Sequence, residues 1–297
     1  MHFISFIIVI IIIFSILFPI FKKFSFIQSI VISNFVIFFM TTFSSPNLMP
    51  SHSIIFKELA FNPIYFKNIP KLYTLITSMF IHYDVWHILG NMIALLFIGI
   101  PFEYRIGRIK ISAIYILGGI FATIFFTLAN FGERMLLVGA SGAIFSILGG
   151  FAVSFPRDKI LVPIPFPIIF FVRMRVITAA IIFAILQIIF SLTSQYYGGN
   201  IAYLAHLGGL IGGVAIAKIL IKEKKVIEKF DYSIIKNFLE TERQKEIFRK
   251  IEEAIEPEIK EAWFSYLLKD LRCPRCGGRL EVKNGKIYCK KCGYVIK

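Results

Sequence analysis

The side chains in this sequence that are set up for chemistry are one serine, three histidines, an asparagine and four cysteines. Ser141 stands in Gly139-Ala140-Ser141-Gly142, and His206 in Ala205-His206-Leu207-Gly208-Gly209. His82 precedes His87 and Asn91, and the last two, four residues apart, share one face of a helix. A serine hydroxyl becomes a nucleophile when a base within hydrogen-bond reach takes its proton. Histidine and asparagine donors can hold a developing oxyanion, as can the free N–H groups and positive dipole end of a helix start. No Asp or Glu falls within the apolar segments near His206, so the arrangement would be a Ser–His dyad and not a triad. Taken singly, each residue has a plainer explanation. Serine among glycines is commonly a small packing residue, a lone histidine in a membrane serves a pore or proton relay, and Asn91 can join helices. Their combination points to catalysis.

The elements that must position these groups are greasy. The chain has 297 residues, 57% hydrophobic and 17% charged, with a mean hydropathy of +0.75, which excludes a water-soluble globule for most of its length. A spanning helix needs about 20 apolar residues. Segments 3–21, 24–43, 83–102, 111–130, 137–155, 176–193 and 200–221 meet that length approximately. The first lacks a basic lead-in and is followed by Lys22-Lys23 in place of a small-residue cleavage site, so it reads as a retained helix. The connection 44–82 carries Pro46, Pro50, Pro63 and Pro70, and its Ile54, Ile55, Phe56, Leu59 and Phe61 read as packing onto or dipping into the outer leaflet. The proline-broken stretch 156–174 reads as lying at the cytoplasmic interface.

The net charge of +15 would suggest nucleic acid in a soluble protein. Residues 1–221 hold 14 basic and 5 acidic side chains, 222–272 hold 12 of each, and 273–297 hold 7 basic and 1 acidic. In the first region the basic residues gather in alternate connections: Lys22 and Lys23, Arg105 to Lys110, Arg157 to Arg175, and Lys218 onward. That alternation makes those connections cytoplasmic, the N-terminus external and the C-terminus cytoplasmic in a multi-pass cell-membrane protein. His82, His87, Ser141 and His206 then all fall in the external half of the membrane.

These pieces resemble the rhomboid family of intramembrane serine proteases. The resemblance rests on residues 77–82 (Thr-Ser-Met-Phe-Ile-His) running into His87-Ile88-Leu89-Gly90-Asn91, on Glu103-Tyr104-Arg105-Ile106-Gly107, on Gly139-Ala140-Ser141-Gly142, and on Ala205-His206-Leu207-Gly208-Gly209 extending to Gly213. It covers about residues 24–221 and implies an all-α polytopic membrane fold, a six-helix core with the first span added at its N-terminus. It also implies Ser141 as nucleophile, His206 as general base, and His87, Asn91 and the Ser141 N–H as oxyanion donors. His82, Gly139, Gly142, Phe145 and Gly209 take supporting roles, and Glu103 and Arg105 match a cytoplasmic structural pair. Two positions depart from the family pattern. Tyr73-Thr74 stands where many members have Trp-Arg, and Phe145 stands where some have a tyrosine packed on the catalytic histidine. The implied substrates are membrane proteins with a single spanning helix. Their scissile segment must unwind, which favours helix breakers near the cut. A noncatalytic escort of membrane clients is the alternative. A transporter relay through the histidines lacks an inverted repeat or a chain of intramembrane acids.

Residues 222–272 carry 24 charges with apolar pairs at near-helical spacing and a break at Pro257, which reads as a helical cytosolic linker. All four cysteines follow: Cys273 and Cys276, then twelve residues, then Cys289 and Cys292. Paired Cys-x-x-Cys turns at this distance are a structural zinc signature, closing a four-thiolate site with no open position. Residues 280–283 and 286–288 read as a hairpin around Asn284-Gly285, making a small cytosolic β zinc ribbon. Two disulfides are the alternative, disfavoured in a reducing cytosol. No cofactor is expected for the catalytic step. The ribbon offers basic surface to a cytosolic protein or anionic lipid, and without an aromatic stacking platform nucleic acid is disfavoured. The expected domains are 1–23 (the extra helix), 24–221, 222–272 and 273–297.

Overall fold

Long runs of Ile, Phe, Leu and Val leave the backbone only itself to bond with in a bilayer, and they fold as helices. The computed structural model describes all residues except 167, 198–202, 222–231, 255–256, 284–285 and 297. The chain divides into two units, Met1–Lys222 and Glu223–Lys297.

The first unit begins with α1 (Phe3–Phe21) and α2 (Phe26–Phe43), the Ser29 hydroxyl on α2 donating to the Ser15 carbonyl on α1 at 2.8 Å. Short helices α3 (Ile54–Leu59) and α4 (Thr74–Thr77) lie in the next connection. Helix α5 (Val85–Ala94), a π-helical turn at Leu95–Gly99, and α6 (Ile100–Ile106) run on as one span, Val85–Ile106. Then come α7 (Arg108–Ala129), α8 (Ser141–Ser154), the hairpin β1 (Lys159–Phe166) and β2 (Ile168–Arg175), α9 (Val176–Tyr197) and α10 (Tyr203–Leu220). Among the described residues, 6 helices are long and apolar enough to cross a membrane. This is a mostly helical, multi-pass membrane protein.

One expectation needs adjusting and another gains detail. The segment 137–155 holds only the 14-residue α8, because the chain turns at Gly139 with φ 109° before the helix starts. The stretch 156–174, expected only to be too broken to span, has regular structure of its own. It pairs antiparallel from Lys159↔Arg175 to Phe166↔Ile168, and with only two strands each is an edge, where prolines such as Pro163 and Pro165 of β1 are tolerated.

Within lipid, apolar side chains gain little by leaving the bilayer for a neighbouring helix, so close packing must hold the helices together. Helix α8 sits at the centre, packed on α7 and α10, with its residues from Ala143 to Ala152 buried except Phe145. The connection 44–82 also belongs to the core. Ile55, Phe56, Leu59 and Phe61 are buried in protein and do not face the outer leaflet; of the five residues expected there, only Ile54 is exposed. Phe61 and Leu137 exchange backbone hydrogen bonds of 3.1 and 2.8 Å, tying this connection to the segment that enters α8. Tyr73 and Thr74 anchor it further, through Tyr73 OH to the Glu58 carbonyl at 2.9 Å and Thr74 Oγ1 to the Lys71 carbonyl at 2.6 Å.

Glu103 and Arg105 each tie one element of this unit to another. The Glu103 carboxylate caps α2, accepting from Ser25 Oγ and the Phe26 and Ile27 N–H groups at 2.6, 2.7 and 3.0 Å. Arg105 forms a two-point ion pair with Asp158, at 2.9 and 3.1 Å, over the Phe155 ring.

The second unit contains a 3-10 turn (Tyr232–Phe238), α11 (Glu242–Glu253), α12 (Pro257–Asp270) and a sheet of β3 (Leu280–Lys283), β4 (Lys286–Cys289) and β5 (Val295–Ile296). Thr241 and Gln244 close a capping box at the start of α11. Pro257 opens α12, where its missing N–H is no loss. The apolar residues of both helices, including Ile247, Ile251, Phe264 and Leu267, form one core with Leu280, Ile287 and Ile296 of the sheet. Strands β3 and β4 pair from Leu280↔Cys289 to Lys283↔Lys286, and the Asn284-Gly285 turn lies outside the described residues.

Candidate active site and metal centre

Ser141 is the first residue of α8, so its own N–H and those of the next residues have no acceptor within the helix. His206 lies in the first turn of α10. The two helices meet backbone to backbone because glycine occupies their crossing. A Cβ at Gly209 would overlap the Gly142 carbonyl, and one at Gly213, a turn further, would overlap the Ser146 carbonyl. On its other side Gly142 faces α7, where a Cβ would stand 2.8 Å from that of Ala122. This close approach puts His206 Nε2 2.7 Å from Ser141 Oγ. The Phe145 ring, one turn along α8, stacks flat on the imidazole with centroids 4.6 Å apart and planes at 5°.

His87 stands on the opposite rim. Asp84 caps α5 by accepting from the His87 N–H at 2.8 Å. His87 Nδ1 accepts from the Tyr83 N–H at 3.3 Å, so the neutral ring carries its proton on Nε2 and can donate from there. That Nε2 rests against the turn leading to Ser141: a Cβ on Gly139 would be 2.5 Å from it. Glycine is therefore needed at 139 for space as well as for its positive φ. His82, buried, packs edge-on against His87 with centroids 5.1 Å apart. Asn91, also buried, gives one amide N–H to the His87 carbonyl at 2.8 Å and retains a second to give.

The residues singled out in the sequence thus fall into one neighbourhood. Ser141, His206, Phe145, Gly142 and Gly209 are in direct contact, while His87, with Gly139, His82 and Asn91, forms the facing side. One side chain at the site escaped the sequence reading: Gln187 on α9, whose Oε1 lies 2.7 Å from His206 Nδ1. The available signal was that it is the sole amide in the apolar window 176–193.

In the second unit the four cysteine sulfurs lie within 4.8 Å of one another. Cys273 and Cys292 are 3.8 Å apart, and Cys276 and Cys289 3.5 Å. A tetrahedral ion at about 2.3 Å from each sulfur requires edges of about 3.8 Å, so the cluster could hold a metal. The two Cys-x-x-Cys turns are built alike. Gly277 N–H donates to the Cys273 carbonyl at 2.8 Å and Gly293 N–H to the Cys289 carbonyl at 2.9 Å, with both glycines at positive φ. Backbone N–H groups of Cys292 and Lys291 directed at Cys289 lower its thiol pKa, while hydrogen bonds from the neighbouring sulfurs raise that of Cys276, so the clustered thiols titrate as one group.

The Rhomboid domain family matches residues 70–223, which contain every side chain of the α5–α8–α10 site. The chain belongs to the rhomboid family. It is 33% identical over 105 residues to RHOMBOID-like protein 1 of Arabidopsis thaliana, covering 35% of this chain and 26% of that protein. With RHOMBOID-like protein 7 of Arabidopsis thaliana the identity is 36% over 108 residues, 36% of this chain and 33% of the relative. A longer match, 27% over 213 residues, joins 70% of this chain to 67% of Rhomboid-like protease 1 of Toxoplasma gondii. The chain thus spans about a quarter to a third of the two Arabidopsis relatives.

Proposed function

We propose that the chain is an intramembrane serine endopeptidase in which Ser141 is the nucleophile and His206 its general base. The observation that carries this reading is the 2.7 Å hydrogen bond between Ser141 Oγ and His206 Nε2. Oγ donates to Nε2; as Oγ attacks a substrate carbonyl carbon, its proton passes to that nitrogen. The carbonyl oxygen becomes an oxyanion, for which the Ser141 N–H at the start of α8, His87 Nε2–H and the second Asn91 N–H are the donors, each worth about 3 kcal/mol in such sites. His206 then protonates the departing amine, leaving an acyl ester on Ser141 that water hydrolyses by the reverse proton path. Phe145 keeps the imidazole plane fixed, and His82 supports His87. No metal or cofactor enters these steps.

The site belongs below the membrane surface. Fourteen residues of α8 rise about 21 Å, against a hydrocarbon thickness of about 30 Å. The nonhelical turn before Ser141 is tolerable at that depth because protein covers much of it: Leu137 and Ala140 are buried and Val138 and Gly139 half-buried. With the basic connections on the cytoplasmic side, Ser141 opens toward the external leaflet of the cell membrane and the second unit lies in the cytosol. Substrates of this class are spanning helices whose scissile segment unwinds. The cysteine cluster holds a structural zinc ion through Cys273, Cys276, Cys289 and Cys292, closing the ribbon without taking part in proteolysis. Its basic face is the surface for a cytosolic protein or anionic lipid.

The test uses the full chain purified in detergent with a fluorophosphonate probe and a model spanning substrate, beside Ser141→Ala and His206→Ala. Wild type is expected to label and cleave, and both variants to do neither. Equal labelling of wild type and Ser141→Ala would overturn the reading. For the ribbon, about one zinc per chain is expected after gentle purification, and a content far below that would remove the metal.

A further inference from the structure

Helix α9 is the span that owes least to protein packing. Only 22% of its apolar window is buried, and Ile181, Ile182, Ile185, Ile188 and Ile189 are exposed. Gln187 is an exception on that helix, 7% exposed and turned inward. A primary amide within a span is costly unless partnered, and its partner is His206 Nδ1 at 2.7 Å. A neutral imidazole carries one proton, on one nitrogen or the other. To accept from Ser141 at Nε2, His206 must carry that proton on Nδ1, and Nδ1–H then needs an acceptor. The other tautomer would point an N–H at Ser141 Oγ and leave the serine without a base. A second contact from the same helix face reaches the same ring. Phe183, one turn before Gln187, packs edge-on against Phe145 at 6.1 Å and 83°, and Phe145 lies flat on the imidazole.

We propose that Gln187 is a positioning residue for the dyad, its side-chain oxygen accepting from His206 Nδ1–H and holding the base in the tautomer that can take the Ser141 proton. The amide occupies the place a carboxylate holds in a triad. It orients the ring without burying a charge, which a span would tolerate poorly. Turning the amide to offer its NH2 instead would suit only the tautomer without a base, so the dyad and the amide orientation select each other. The inference rests on the dyad reading of Ser141 and His206.

The test measures the rate of fluorophosphonate labelling against pH for wild type, Gln187→Met, Gln187→Glu, Ser141→Ala and His206→Ala, with thermal melting of each. Gln187→Met keeps length and volume but offers no comparable acceptor; it is expected to melt like wild type and label about ten-fold more slowly, a fraction of what a general base contributes. Gln187→Glu restores an acceptor, so labelling is expected to recover. Because a carboxylate favours the imidazolium, the acid limb of its profile should move to higher pH by about one unit or more. A wild-type rate and profile in Gln187→Met would overturn the proposal. So would an unmoved acid limb in Gln187→Glu, or equal losses in both variants that follow their melting, which is what a packing role alone gives. If Ser141→Ala and His206→Ala label like wild type, the dyad reading itself falls. If those two are silent and Gln187→Met is unaffected, only the role of Gln187 falls.

Discussion

The two units of this chain gather polar side chains in opposite ways. In the second, four sulfurs converge from two short turns within twenty residues, each turn shaped by its own glycine and backbone hydrogen bonds. In the first, Ser141 and His206 are 65 positions apart and meet only because α8 and α10 touch along glycines. A local cluster depends on loop geometry and, once a metal binds, on metal–ligand bonds. A nonlocal dyad depends on the fit of two helices in lipid, where no hydrophobic force draws them together. The first arrangement should therefore be sensitive to its ligands, the second to small changes of volume between helices.

The comparison can be broken from either side. The largest effect is expected from the proposed reacting pair: Ser141→Ala and His206→Ala should each lower cleavage of a model spanning substrate by at least about a thousand-fold, measured as initial rates in detergent. Next comes Gly209→Val. Its side chain must displace the Gly142 carbonyl, and a dyad misplaced by about 1 Å loses roughly a hundred-fold, so labelling of Ser141 should fall by that order while the second unit stays folded. Survival of full labelling would show that helix contact does not set the dyad. Cys276→Ser tests the other side. Zinc content should drop and hydrogen exchange rise across 273–297, whereas labelling of Ser141 should stay within about two-fold, as for independent sites. A parallel loss of labelling would mean that the two units are not independent. The smallest effect is that of Glu103→Gln, which weakens the cap on α2 at a cost of about 1 kcal/mol. It should appear as a melting temperature lower by a few degrees with labelling unchanged.

Legibility followed the same division. Cys273, Cys276, Cys289 and Cys292 could be grouped from spacing alone, and the hairpin strands between them were expected close to where they lie. The spans were legible because apolar length is a one-dimensional property. Ser141, His206, His87 and Asn91 were legible as candidates because polar groups stand out in an apolar run. What spacing could not supply was their partners. Gln187 is one amide among isoleucines in the sequence, and only the packing of α9 turns it onto His206. Glu103 and Arg105 read as structural, but spacing did not name their partners: the start of α2 for one and Asp158 for the other. The apolar residues of 44–82 read as lipid-facing, since hydrophobicity does not say whether the covering surface is lipid or protein.

The sequence by itself determined that this is a multi-pass membrane chain of the rhomboid family with a four-cysteine module, because length, hydropathy and short-range spacing carry that information. Only the tertiary structure decided which nitrogen of His206 meets Ser141, what holds the other nitrogen, and why Gly139 and Gly209 admit no side chain. Those facts are distances between helices far apart in the chain, and they exist only once the helices pack.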